Sequence, residues 1–324
     1  MRLKITIVWA VLILGSLLGG CAGSGSQESP GQREGRAKLV VALQPTVAAA
    51  ELLEKARSLE TFLENELSST GEKVDVEMYV PLSQAGVVEA LRFGQAHAAL
   101  MGSWPALLAT ELGGGELVLA EVREVMVDGE KREAPSYYSY WVVLRDSPYA
   151  SLDVLRGKRV CFPSPVSSSG YLAPLARLVE LGLLSRPEKG EVDPRQFFGE
   201  VIFGGGYAQC WESLRQGQVD VTVIAGDVPE KLYREVLAAT RVLEKQGPLP
   251  SHGLVVSGEL KEPVRSRVVE AFLKLNAPEH RNLMRQLVSG IFVRFERRTG
   301  EEHLGSLKGF LELTGLKFTE RLGR

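Results

Sequence analysis

From Lys38 onward, short apolar runs alternate with longer stretches whose apolar residues recur at helical spacing. Lys38 to Leu43 reads as a buried strand, and from Thr46 to Leu67 the positions Leu52, Leu53, Ala56, Leu59, Leu63 and Leu67 follow a helical period. Val74, Val76, Met78 and Val80 alternate with polar residues as a half-buried strand does, and a helix through Val87, Val88 and Leu91 follows. Further strands are expected at Ala98–Met101, Val142–Leu144, Val160–Phe162, Val201–Phe203, Val219–Ile224 and Leu254–Val256, with helical stretches between most of them. The pattern predicts an α/β architecture. Charged runs such as Arg294 to Arg298 read as solvated helical faces.

One pentapeptide pattern occurs twice. Leu91-Arg92-Phe93-Gly94-Gln95 and Leu214-Arg215-Gln216-Gly217-Gln218 share Leu-Arg-x-Gly-Gln, and each leads from a helical stretch into an apolar strand that ends on glycine, Gly102 or Gly226. A helix stopped by glycine and feeding a strand in each half points to two lobes of similar construction. Gly102 and Gly226 then mark strand ends, where open sheets place their ligands.

Before Lys38 the chain is of another kind. Arg2 and Lys4 precede an apolar stretch from Ile5 through Leu18, the pattern of an export signal over residues 1–20. It closes on Leu18-Gly19-Gly20-Cys21, which resembles the lipobox of bacterial lipoproteins and makes Cys21 the expected lipidated mature N-terminus. Residues 21–37 hold no large apolar residue and abundant Gly and Ser, and read as a flexible tether. The protein is thus expected outside the cytoplasm, held at the membrane by acyl chains on Cys21.

The formal net charge is −2, which suggests no nucleic-acid partner. Apart from Cys21 there are Cys161 and Cys210, not in a CxxC pair, and His97, His252, His280 and His303 are scattered, so no metal motif or cofactor is expected. Cys161 and Cys210 could pair in an oxidising compartment, but each also fits as a small buried apolar residue, the reading favoured here.

Ser167, Ser168 and Ser169 stand at the start of a helical stretch. Free backbone N–H groups there carry partial positive charge, and adjacent hydroxyls add donors, so an oxyanion can be held without Arg or Lys; the alternative is an ordinary serine cap. The surrounding segment, RGKRVCFPSPVSSSGYL from Arg156 to Leu172, resembles the signature of the phosphate, phosphite and phosphonate substrate-binding proteins of ABC transporters, the PhnD-like group. Pro165, Ser167, Ser169, Gly170 and Tyr171 fit that signature, with Ser168 for its threonine. Val88-Glu89-Ala90-Leu91-Arg92 with Gly94, Tyr137-Tyr138-Ser139 and Gly217-Gln218-Val219-Asp220 extend the resemblance from Lys38 to about Phe295. It implies a two-lobed type II periplasmic-binding fold with the ligand cleft between the lobes. The first lobe would take residues 38–138 and 241–324, the second 139–240. The implied function is capture of a small anionic ligand and delivery to an ABC permease.

The segment also departs from the family pattern. Where the family has histidine and an acid in a second-lobe Gly-Ser-His-Asp-Ala stretch, this chain has Tyr207 and Ala208 after Gly205-Gly206, and a family tyrosine falls on Ala106. Tyr207 can still donate a hydrogen bond, and Trp104, beside Ser103, is expected to replace the missing aromatic surface. The glycines 204–206 would let backbone approach a ligand; a packed aromatic and a flexible turn are the alternatives. Asp227, after Gly226, could receive a ligand amine or a protonated oxyanion, or cap the next helix. His252 is expected to be exposed. Two other functions share these features: a ligand-presenting subunit of a membrane sensor kinase, and an enzyme on the same fold with a serine nucleophile.

Overall fold

The structure, a computed structural model, describes residues 37–46, 48–69, 73–186, 188–287 and 291–317. The expected signal, Cys21 and the tether up to residue 36 lie outside the described residues. The first half runs β1 (Ala37–Leu43), α1 (Ala49–Ser68), β2 (Val74–Tyr79), α2 (Gln84–Arg92), β3 (Ala98–Met101) and α3 (Ser103–Glu111). β1 lies between β2 and β3, parallel to both, and is buried from Leu39 to Leu43, so its sequence is apolar without alternation. On α1, Leu52, Ala56, Leu59, Leu63 and Leu67 form the buried stripe and pack in one cluster with Val74, Val76 and Met78 of β2.

The chain next follows β4 (Glu116–Val127) and β5 (Glu130–Ala134) into β6 (Ser136–Leu144). There the second half, with its own sheet, continues through β7 (Arg159–Phe162), α4 (Ala173–Glu180), β8 (Glu200–Phe203), α5 (Tyr207–Arg215), β9 (Val221–Ala225), α6 (Glu230–Ala239) and β10 (Thr240–Pro250). β11 (Gly253–Val256), α7 (Val264–Leu273), α8 (Arg281–Arg285), β12 (Phe292–Arg297) and α9 (Gly300–Thr314) complete the described chain.

Both sheets follow one plan. Parallel strands β2-β1-β3 are continued by antiparallel β11 and β4, and parallel β8-β7-β9 are continued by antiparallel β6 and β10. In each sheet the fourth strand arrives from the other half, so the chain crosses at β4–β6 and again at β10–β11. The repeated pentapeptide marks equivalent joints: Gly94 and Gly217 follow α2 and α5 with φ of 69° and 70°, a conformation that disfavours any side chain.

Several expectations change. Residues 241–250, expected in the first lobe, form most of β10, an outer strand of the second sheet. Within the same expected span, α9 packs on α3 but also on α4 and β10, and the Thr314 carbonyl accepts the Val192 amide at 2.9 Å. The Arg294–Arg298 run lies largely in strand β12, where ion pairs to Glu133 and Glu296 carry Arg294 along the sheet surface. Cys161 and Cys210 are disulfide-bonded, with Cα atoms 5.4 Å apart, because the first turn of α5 folds back over β7.

Where β4 meets the second sheet, the Met126 amide donates to the Gly226 carbonyl at 2.7 Å and the Gly226 amide to the Tyr138 carbonyl at 2.8 Å. A Cβ on Gly226 would stand 2.2 Å from the Met126 oxygen. Gly226→Ala should therefore destabilise the protein by about 1–3 kcal/mol in urea unfolding. An unchanged midpoint would show that the crossing is not tightly packed there.

Candidate ligand-binding site

The C-terminal ends of β1, β3, β7, β8 and β9 all open on one cleft of about 450 Å³. Gln44, Gly102, Ser103 and His252 face it from the first half, and Tyr137, Ser167–Ser169, Gly205–Tyr207 and Asp227 from the second. No Lys or Arg lines it among the described residues.

Three helix starts reach the cleft. α3 begins at Ser103 with Gly102 as N-cap, and α5 begins at Tyr207 with Gly206 as N-cap, neither closed by a side chain. Between them the helix over Ser168–Glu180 opens with a wide turn, in which the Ser167 carbonyl accepts from both the Tyr171 and Leu172 amides. Such wide turns recur at functional sites. Ser167 is the cap of this helix, its hydroxyl accepting from the Gly170 amide at 2.9 Å. Cap and cleft wall are thus one residue rather than alternatives.

Ser169 is buried at 5% exposure. Its hydroxyl accepts from Tyr137 at 3.2 Å and lies 2.7 Å from the Tyr207 hydroxyl. Burial, the main effect, raises both tyrosine pKa values, so both remain donors. Ser168 and Ser103 approach to 3.4 Å across the cleft, so the two walls touch.

Beneath these groups lies a buried ion cluster. Arg123 of β4 donates to Glu121 at 2.8 Å and to Asp227 at 3.0 Å. The Arg123 and Glu121 side chains are 3% and 0% exposed, and Asp227 13%. Burial works against the Arg123 charge, but the two carboxylates outweigh it and its pKa is raised. Burial also raises the Asp227 carboxyl pKa from its ordinary value, against the pull of Arg123.

Ser103, Ser167, Ser168, Ser169, Tyr207 and Asp227 line one cleft, and Trp104 does not. It is 2% exposed within the apolar core, because one residue along α3 from Ser103 is a rotation of about 100° away from the cleft. Asp227 does not cap α6, whose N-cap is Pro229; its carboxylate turns to Arg123 instead. His252, expected at the surface, lines the cleft between β10 and β11, and burial followed by the nearby Arg123 holds its pKa well below the ordinary value. The sequence marks Arg123 only weakly, as one of three charges, with Glu121 and Glu124, inside the otherwise apolar run Leu117–Val127. Among the described residues no group of His, Cys, Asp and Glu is disposed to hold a metal ion.

Two sheets of one plan, joined by crossing strands and enclosing a cleft at their strand ends, define the two-lobed α/β fold of type II periplasmic-binding proteins. Residues 41–301 match the family described as ABC transporter, phosphonate, periplasmic substrate-binding protein, and the chain belongs to that family. It is 26% identical over 215 residues to the phosphate-import protein PhnD of Mycolicibacterium smegmatis, covering 66% of this chain and 63% of that one. It is 25% identical over 234 residues to the phosphonates-binding periplasmic protein of Escherichia coli, covering 70% and 64%. The matches thus span under two thirds of either relative. The solved PhnD1 of Prochlorococcus marinus in complex with methylphosphonate shares the fold, with TM-score 0.60, 15% identity, and 85% of this chain and 98% of that chain covered.

The raised pKa of Asp227 has a sign that can be measured. The folded protein holds this proton more tightly than the unfolded chain, so the group favours folding below the ordinary carboxylate range. That contribution is lost as pH rises through the raised value. The melting temperature of the parent, relative to Asp227→Asn, should fall as pH increases; a difference independent of pH would mean that the carboxyl is unperturbed.

Proposed function

We propose that the protein is the extracytoplasmic receptor of an ABC importer and holds a small oxyanion of the phosphate, phosphite or phosphonate type in the cleft. The convergence of three helix starts and their serine hydroxyls on a cleft that no Lys or Arg lines among the described residues carries this reading. Backbone N–H groups and hydroxyls at helix N-termini suit an oxyanion and need no lysine or arginine. Family membership supports it, as do the functions the two relatives are named for and the methylphosphonate in the Prochlorococcus structure. The disulfide accords with an oxidising compartment. Ser169 is engaged by two tyrosine hydroxyls rather than by an imidazole, which favours binding over nucleophilic chemistry.

The same reading gives the ligand a polarity. Its oxyanion faces the helix starts, and its other end meets Asp227, which accepts a proton-bearing oxygen or an ammonium group. The Cys21 anchor remains part of the proposal, with the tether carrying the lobes clear of the bilayer.

Calorimetric titration with phosphate, phosphite and methylphosphonate tests the site. Ser168→Ala/Ser169→Ala should weaken the tightest of them by about 1–3 kcal/mol per hydrogen bond lost, with the fold retained. Asp227→Asn should weaken a protonated or amine-bearing ligand and leave a fully ionised one unharmed. Unchanged affinity in the serine variant would sink the oxyanion assignment. For the anchor, Cys21→Ala should abolish acylation and release the protein from membranes; continued lipid attachment would refute it.

A further inference from the structure

The Cys161–Cys210 disulfide lies outside the donor set just described, yet it joins the elements that carry most of it. Cys161 sits on β7, two residues before Pro163, where the chain enters the Ser167–Ser169 turn. Cys210 sits in the first turn of α5, three residues after Tyr207, and its amide closes that turn on the Gly206 carbonyl at 3.1 Å. The glycines between β8 and α5 fit this crosslink. A Cβ on Gly204 would stand 2.8 Å and 2.9 Å from the two sulfurs, and Gly205 has φ of 86°. Gly204 thus makes room for the disulfide rather than for a ligand, and it does not line the cleft. The wall beside it is anchored by Gly170, whose Cβ position is occupied by the Pro163 ring at 2.1 Å.

We infer that the Cys161–Cys210 disulfide is a positioning device for the binding site, holding the first turn of α5 against the serine turn so that Tyr207 and Ser169 meet in the cleft. The inference rests on the reading of the cleft as an oxyanion site, because its value lies in keeping donors from two helix starts at fixed separation. Preorganised donors lose little freedom on binding, whereas a helix start free to drift would have to be ordered by the ligand. The crosslink acts through backbone placement and touches no ligand itself.

Two measurements on the Cys161→Ala/Cys210→Ala protein test it. Hydrogen exchange in the absence of ligand should quicken in residues 163–172 and 204–210 and stay unchanged in β1 and β3. Affinity for phosphate or methylphosphonate should fall about tenfold or more, and Tyr207→Phe should weaken binding in the parent but add no further loss in the alanine pair. Unchanged exchange in both segments of a folded alanine pair overturns the inference and leaves the disulfide a general staple. Should the pair not fold, Gly204→Ala decides: it keeps the crosslink but forces the sulfurs and the α5 turn to shift, and parent-like exchange and affinity would overturn the inference. A parent that binds none of the oxyanions refutes the functional reading alone, since the exchange comparison needs no ligand.

Discussion

Arg123 lies on β4 where that strand leaves the first sheet for the second, and its guanidinium is shut away from water between Glu121 of its own strand and Asp227 at the end of β9. Withdrawing an ion from water costs several kcal/mol, and the attraction between partners roughly offsets this. Such a cluster is poor evidence for stability but a strict condition on geometry, because removing one partner strands the rest at a cost of about 3–5 kcal/mol. The arrangement that satisfies Arg123 brings Gly226 and Asp227 against β4, and with them the strand end that floors the cleft. Glu121 Oε1 and Arg123 Nη2 are buried without a hydrogen-bond partner, so the cluster is held by its surroundings rather than perfected in itself. Two carboxylates share one guanidinium, and Asp227 is the one that reaches the cleft.

With that floor fixed, the rest of the site follows from the repeated plan of the sheets. A parallel β-α-β unit puts the start of its helix at the C-terminal edge of the strand before it, so each sheet directs helix starts toward the same edge. Facing two such edges across the crossing strands brings α3 from one side and the Ser168 turn and α5 from the other into one volume. Each helix start carries partial positive charge of roughly half a unit. Together they offer an oxyanion an attractive field whose donors are backbone atoms, and the side chains that add to it are neutral hydroxyls.

What the sequence made legible was decided by whether burial went with apolarity. β1, β3, β7, β9 and β11 are covered on both faces and stand out as apolar runs, and β2 alternates because one of its faces is wet. β4 escaped notice because Glu121 and Arg123 interrupt it, and they are buried by pairing with partners near and far in sequence. β12 and β10 are outer strands rich in charged residues and carry little apolar signal. In the site, the serine turn and Asp227 were readable from their places after strands. Trp104 was misplaced because proximity in sequence is not proximity on a helix. His252 and the Cys161–Cys210 pairing depend on which loop crosses which strand, a tertiary fact without a local trace.

Tyr207, at the position where the sequence resemblance implies a histidine, also acquires a physical sense. An imidazole at that position would change its charge near neutral pH, within the range where phosphate loses its second proton. The hydroxyls of Tyr137 and Tyr207 are instead kept protonated by burial, and His252 is kept neutral by burial and by Arg123. The charge state of these three side chains is therefore constant near neutral pH. Of the groups described at the cleft, Asp227 has its proton held more tightly than usual, and it stands on the floor beneath the serine and helix donors. Under the oxyanion reading proposed above, a response of binding to pH then comes from the Asp227 carboxyl and from the ligand itself.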